Sequence, residues 1–270
     1  MPGTGTFKGA QRSYTRRLRI DLNADVGESF GHWPMGADEL LLAWVSSVNV
    51  ACGFHAGDPR VMDHTVEQAV RAGVAVGAHP GHFDLRGFGR RAIPAEPEEI
   101  ERDVLYQVGA LTAFTHAHGV PLVHVKPHGA LYNQAATDER VARAIARGVA
   151  RASRELVLVG LASTAAMRHA ALAEGLPFAA EAFADRRYER DGTLTPRGRP
   201  GAVIDDPGQA ADQALLIAIK GRVRASDGTE VPLQADTLCL HSDTPRAAEN
   251  ARAVRQALEA AGVDVLPLGA

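Results

Sequence analysis

Residues Asn49–Pro59 read NVACGFHAGDP. An apolar run of strand character breaks at Gly53, continues through Phe54 and His55, and ends at Gly57 followed by an aspartate–proline pair. Asp58 before Pro59 marks a helix start, because aspartate caps free N–H groups and proline in a first turn gives up no hydrogen bond. The stretch is thus a strand, a turn and a helix start. Gly53 and Gly57 let the backbone turn sharply or let a ligand approach it. His55 has no evident structural duty there, whereas Asp58 has two readings, helix cap or ligand-binding group.

Outward from this junction the same order repeats. Strand-like runs at residues 18–22, 47–51, 74–78, 122–125, 156–160, 178–182 and 237–240, with an eighth candidate at 263–266, alternate with helical patterns. The helices are expected at 38–44, 59–72, 97–118, 138–152, 163–174, 206–220 and 245–261. Gly73, Gly119, Gly175 and Gly262 stand at helix ends, where a left-handed residue is favoured. Thr244-Pro245 repeats the helix-start signal. Regular βα alternation implies a parallel sheet, and 270 residues suit one (β/α) barrel of seven or eight strands. Asp227-Gly228 lies between two short strand-like pieces, which predicts a hairpin inserted at about residues 221–233. No linker or repeat divides the chain, so residues 19–270 form a single expected domain. Residues 1–18 carry Lys8, Arg12, Arg16 and Arg17 without an acid and are expected to be a basic, flexible tail.

With 46% hydrophobic and 23% charged residues and a net charge of -3, the composition is that of a soluble globular protein and speaks against nucleic acid as a partner. No apolar stretch is long enough for a signal peptide core or a membrane span. Cys52 and Cys239 form no paired motif and read as small buried strand residues, so a reducing, cytoplasmic setting is expected.

Polar residues gather at the strand ends. Asp21, Asn23 and Asp25 follow one another at every second position of the first strand and its exit, a spacing that turns them to one side, into the barrel. Asn49, His55 and Asp58 belong to the second strand and its exit, His79 to the third, Lys126 and His128 to the fourth. Glu181, Asp185 and Arg186 lie on or after the sixth, and His241 and Asp243 after the seventh. In a parallel barrel the carboxyl ends of all strands meet on one face, so these residues converge on one expected pocket. Buried carboxylates need partners, and Lys126 and Arg186 are the available cations. No phosphate-binding glycine loop of the G-x-x-x-x-G-K-[ST] type follows a strand. Asp25, His55 and His79 are candidate metal ligands by residue type, although no short metal motif supports them.

The runs IDLNADVGESFG, NVACGFHAGDP, VGAHPGHFDLRGFGRR, HVKPHGALYN, EAFADRRYERDGTL and CLHSDTP together resemble the LamB/YcsF family, in order, from about Ile20 to the end. Two departures occur. Gly81-His82-Phe83-Asp84 replaces the family's usual Tyr/Phe-Pro-Asp run, and Ser242 replaces the glycine of a His-Gly-Asp run. The resemblance implies an irregular (β/α) barrel like that of some glycoside hydrolases and carbohydrate deacetylases. It also implies an activity, the ATP-dependent opening of 5-oxoproline to L-glutamate together with two partner subunits, B and C. ATP would then be a co-substrate, accompanied by a divalent cation such as magnesium.

Such chemistry needs cations near a phosphorylated amide oxygen, a base for water and an acid for the departing ring nitrogen. Lys126 and Arg186 suit the first role, Asp25 or Asp185 the second, and His55, His79 or His128 the third. Asp21, Asn23, Asn49, Gly53, Asp58, Glu181, Arg186, His241 and Asp243 are the expected substrate or nucleotide contacts. Two other functions remain open: metal-dependent hydrolysis of a carbohydrate amide or ester, and a non-catalytic subunit that presents a ligand.

Overall fold

Strand β2 (Ser47–Ala51) is buried at every residue, as a strand covered on both faces must be. In the computed structural model, which describes residues 18–241 and 246–270, it is one of seven parallel strands that close a barrel. The others are β1 (Arg19–Val26), β3 (Ala75–His79), β4 (Leu122–Val125), β5 (Val157–Leu161), β6 (Phe178–Phe183) and β9 (Thr237–Leu240). They pair in the order β1-β2-β3-β4-β5-β6-β9, and β9 closes the ring on β1 through Asp21–Ala24. The eighth candidate strand forms as β10 (Asp264–Val265), but it pairs only with Arg19 and Ile20 and stands outside the ring.

Helices α1 (Asp38–Leu42), α2 (Pro59–Ala72), α3 (Pro97–Ala117), α4 (Gly129–Thr137), α5 (Glu139–Ala152), α6 (Ala166–Ala173), α7 (Pro207–Lys220) and α8 (Ala247–Ala260) connect the strands. The hydrophobic core lies between these helices and the outward faces of the strands, where Leu22, Val48, Val66, Ile145, Leu238 and Val254 pack. Helix α2 shows the local logic. Asp58 Oδ1 accepts the N–H groups of Arg60 and Val61, Pro59 occupies the first turn, and Gly73 ends the helix at φ 69°. Met62, Thr65, Val66 and Ala69 make its buried face at helical spacing. An antiparallel hairpin of β7 (Arg222–Arg224) and β8 (Glu230–Pro232) follows α7.

Two differences from the sequence reading matter for the site. Strand β1 runs through Asn23 and Asp25 to Val26, since its parallel pairing with β2 and β9 overrides the poor strand preference of aspartate and asparagine. Helix α4, which the sequence reading passed over, occupies residues 129–137; Asp138 then ends α4 and caps α5. The basic residues before 18 and the Thr244-Pro245 helix start lie outside the described residues.

Inside the barrel the side chains form layers, as period-2 strands require. The lowest holds Asp21, Ser47 and Thr237, and above it lie Asn23, Asn49, His124, Glu181 and Cys239. Gly77 of β3 leaves the room for His124, whose ring occupies the space that a Cβ there would need. The top layer, at the carboxyl ends of the strands, carries Asp25, His79, Lys126, Phe183 and His241.

Candidate active site

A cavity of about 470 Å³ opens above this top layer. At its base Lys126 Nζ donates to Asp25 Oδ1 at 2.8 Å, to Cys239 Sγ at 3.0 Å and to Asn23 Oδ1 at 3.4 Å, and it lies 3.1 Å from Glu181 Oε1. One ammonium thus serves two buried carboxylates. Burial works against its charge, but Asp25 foremost, then Cys239 and Glu181, raise its pKa well above the ordinary lysine value. Burial likewise opposes ionisation of Asp25, and His79 and Lys126 outweigh it, holding this carboxyl well below the usual range. Asn49 Nδ2 bridges Asn23 Oδ1 and Asp25 Oδ1 at 2.7 and 2.8 Å. Asn23 Nδ2 donates to Glu181 Oε1 at 3.1 Å and Thr237 Oγ1 at 2.6 Å, and Tyr132 of α4 donates its hydroxyl to Glu181 Oε2 at 2.8 Å.

Beside this group Asp185 and His241 form a dyad, with a donor atom of His241 within 4.8 Å of Asp25 and Cys239. Asp185 Oδ2 accepts the His241 backbone N–H at 2.9 Å, and both carboxylate oxygens lie 3.0 Å from His241 Nδ1. A carboxylate can only accept, so Nδ1 carries a hydrogen, and in the neutral ring the lone pair is on Nε2. Burial pushes the Asp185 carboxyl up, but His241 outweighs it and holds the carboxyl below the ordinary value. Phe183 stacks against the His241 ring, with centroids 5.3 Å apart and planes at 14°. The oriented imidazole lines the cavity and is a base or acid of defined tautomer.

A third group is histidine-rich. His79 Nδ1 meets the Lys126 carbonyl oxygen at 2.6 Å, His79 Nε2 faces His128 Nδ1 at 3.0 Å, and His55 stacks on His128 with centroids 3.8 Å apart. Burial, followed by the neighbouring His79, lowers the His128 pKa to about 3; burial, followed by His128, lowers that of His55 well below the ordinary histidine value. These two rings are held neutral, the state in which imidazole binds a metal. Glu28 joins the cluster.

Arg186, 6% exposed, lines the cavity, and its guanidinium donates to the main-chain carbonyls of Thr195 and Ala202 at 2.7 and 3.4 Å. Arg90 and Arg197 line the same cavity, which thus has three arginines in its wall.

Several sequence candidates lie apart from the cavity wall. Asp21 sits at the floor of the barrel, where the hydroxyls of Ser46, Ser47 and Thr237 donate to it. Burial, only partly offset by these bonds, pushes its pKa up to about 6. Of the two readings of Asp58, the cap is realised: Oδ1 caps α2, and Oδ2 accepts the Gly31 N–H at 2.7 Å. Gly53, at φ 92°, turns the chain by donating its N–H to Ala56. Asp243 and the Ser242 replacement lie outside the described residues.

Conversely, Glu28, His124, Tyr132 and Phe183 enter the site without having been singled out in the sequence, and Cys239, read there as a small buried strand residue, enters it as a partner of Lys126. His124 Nε2 meets Asn49 Oδ1 at 2.7 Å, and its pKa falls to about 3, chiefly through burial and then Lys126. Alternation could have found several of these. His124 precedes Lys126 by two positions, Cys239 precedes His241 by two, and Phe183 lies between Glu181 and Asp185 at the same spacing.

With this geometry, the chain shows extensive similarity to known proteins. It is 58% identical over 250 residues, 93% of this chain and 96% of the relative, to a Methylococcus capsulatus protein named as the A subunit of 5-oxoprolinase. A Pyrococcus abyssi protein of the same name is 50% identical over 253 residues, 93% of this chain and 98% of the relative. The crystal structure of a lactam utilization protein from Thermus thermophilus superposes with a TM-score of 0.88 at 52% identity, covering 92% of this chain and 99% of that one. A model of the LamB/YcsF family matches residues 20–270, and this chain belongs to that family.

Proposed function

We propose that the chain is the A subunit of an ATP-dependent 5-oxoprolinase and that the cavity above Lys126 holds the lactam. The observation that carries this reading is the convergence in one cavity of a persistently charged ammonium, a carboxylate-oriented imidazole and three arginines. The names of its relatives support the substrate class.

A five-membered lactam is an unstrained amide with a poor electrophile at its carbonyl carbon. ATP answers this by converting the amide oxygen into a phosphate ester. The lactam oxygen attacks the γ-phosphorus, ADP leaves, and the ring N–H proton is lost, giving a phosphorylated imidate. Water then adds to the ring carbon. His241, with its lone pair on Nε2, takes a proton from the water and delivers it to the ring nitrogen, and then carries the remaining hydroxyl proton to the same nitrogen as the carbonyl forms. The carbon–nitrogen bond breaks, leaving glutamyl phosphate, whose hydrolysis by a second water yields glutamate and phosphate. Lys126 and Arg186 face the developing negative charge, Asp25 keeps Lys126 in place, and Asp185 sets the tautomer of His241. A magnesium ion accompanying ATP would offset the charge of its phosphates. Partner subunits B and C complete the enzyme, and two free buried cysteines fit a reducing, cytoplasmic setting.

The test is a reconstituted assay with the partner subunits of a relative, in which glutamate and phosphate appear from 5-oxoproline in equal amounts and only with ATP. A chain that binds 5-oxoproline but adds nothing to turnover would be a presenting subunit. The histidine cluster favours one second reading, metal-dependent hydrolysis of a carbohydrate amide or ester. Turnover of an acetylated sugar without ATP would select it.

A further inference from the structure

Two main-chain carbonyls decide where hydrogens sit in the histidine cluster. The Lys126 oxygen, 2.6 Å from His79 Nδ1, and the Phe88 oxygen, 2.8 Å from His128 Nε2, can only accept. Those two nitrogens therefore carry the hydrogens. In neutral rings the remaining nitrogens, His79 Nε2 and His128 Nδ1, present lone pairs; these face each other at 3.0 Å, and His79 Nε2 also lies 3.4 Å from Asp25 Oδ2. Facing lone pairs repel unless a cation lies between or beside them, either a proton or a metal ion.

Two more side chains distinguish the possibilities. Glu28 Oε1 lies 3.7 Å from His128 Nδ1 and 3.6 Å from His55 Nε2, and one donor atom from each of Glu28, His55, His79 and His128 falls within 4.8 Å of the others. His55 is 1% exposed, and among the described residues neither of its ring nitrogens has a hydrogen-bond partner. An unsatisfied buried polar group costs about 1–3 kcal/mol, so a fold that keeps one needs a reason for it. A proton shared by His79 and His128 leaves His55 unsatisfied. An ion bound by all four side chains satisfies it.

We propose that Glu28, His55, His79 and His128 bind one divalent first-row transition-metal ion, with zinc the best match to a donor set of imidazole nitrogens and a carboxylate oxygen. Bonds of about 2.0–2.1 Å in a tetrahedral site put neighbouring donors about 3.3 Å apart, and the separations of 3.0, 3.6 and 3.7 Å fall on either side of that value. Imidazole lone pairs lie in the ring plane, so binding tilts the His55 ring out of its parallel stack with His128. The neighbouring group Asp25, Cys239 and His241 does not compete, because the Lys126 ammonium already bonds to Asp25 and Cys239.

Metal binding at this site is independent of the proposed substrate and is read without turnover. Protein stripped by chelation is equilibrated with zinc or cobalt(II), and bound metal is measured by mass spectrometry and by the visible absorption of cobalt. The expected result is one ion per chain, with affinity lowered about 100-fold or more in Glu28→Gln and His79→Ala and unchanged in His118→Ala, an outer-surface histidine paired with Asp63. Circular dichroism and a cooperative melt show that each variant is folded; if His79→Ala is not, the near-isosteric Glu28→Gln carries the test. Binding well below one ion per chain for zinc, cobalt, nickel and manganese alike overturns the proposal, as does full binding by folded Glu28→Gln.

Discussion

Asp21 and Asp25 lie on one strand, four residues apart and facing the same way, yet the barrel treats them oppositely. Asp21, at the floor, is bonded by neutral hydroxyls, and burial pushes its pKa up to about 6. Asp25, at the mouth, meets Lys126 and His79 and is held well below the ordinary carboxylate range. Both are buried, 2% against 8% exposed, so the difference comes from the partners rather than from solvent. The floor has the character of a structural hydrogen-bond network. At the mouth a concentrated charge arrangement is kept in place, as a site that must stabilise a changing charge requires.

Removing the cation of the mouth should have the largest effect. Lys126→Met leaves Asp25 and Glu181 buried without their ammonium and is expected to cost about 3–5 kcal/mol in urea unfolding, together with all measurable lactam turnover. Next comes the dyad. Asp185→Asn leaves His241 free to take the wrong tautomer, and turnover in the reconstituted enzyme should fall about 10²- to 10⁴-fold with little change in KM or melting temperature.

The floor gives a different signature, read as stability against pH. The folded pKa of Asp21 is raised, so the native state binds this proton more tightly than the unfolded chain. Its stabilising contribution is complete below about pH 4 and is lost as pH rises through about 6. Relative to Asp21→Asn, the wild type should therefore lose on the order of 3 kcal/mol between pH 4 and pH 7. An unchanged difference over that range would show that the floor carboxyl is not perturbed. The smallest effect belongs to the outside of the ring, where Asp58→Ala removes a helix cap and should cost about 1 kcal/mol in chemical denaturation, leaving KM unchanged.

The order of the barrel was legible because each βα junction has its own local chemistry. Asp58-Pro59 before α2 and Gly73 after it are interactions within a few residues, and they work wherever the strand ends up. The convergence of His79, Lys126, Asp185 and His241 was legible too, since a parallel barrel leaves strand ends nowhere else to go. The floor position of Asp21 was not. Three aspartate or asparagine residues at period 2 predict one side of the sheet but not the height of each along the barrel axis, which the register of β1 against β2 and β9 sets. Glu28 lies past the strand in a loop, where no periodicity places it, and the pairing of Asp185 with His241 joins elements 56 residues apart. Helix α4 starts without a side-chain cap, which is why GALYNQAAT gave no starting signal.

One experiment compares the two ends of β1 directly. Glutamate release from 5-oxoproline is measured with ATP and partner subunits for the wild type, Asp25→Asn and Asp21→Asn, each shown to be folded. If the mouth is where the lactam is opened, Asp25→Asn should lose turnover by about 10³-fold or more, while Asp21→Asn stays within a few-fold of wild type. Near-normal turnover in folded Asp25→Asn, or an equal loss in both, would contradict it.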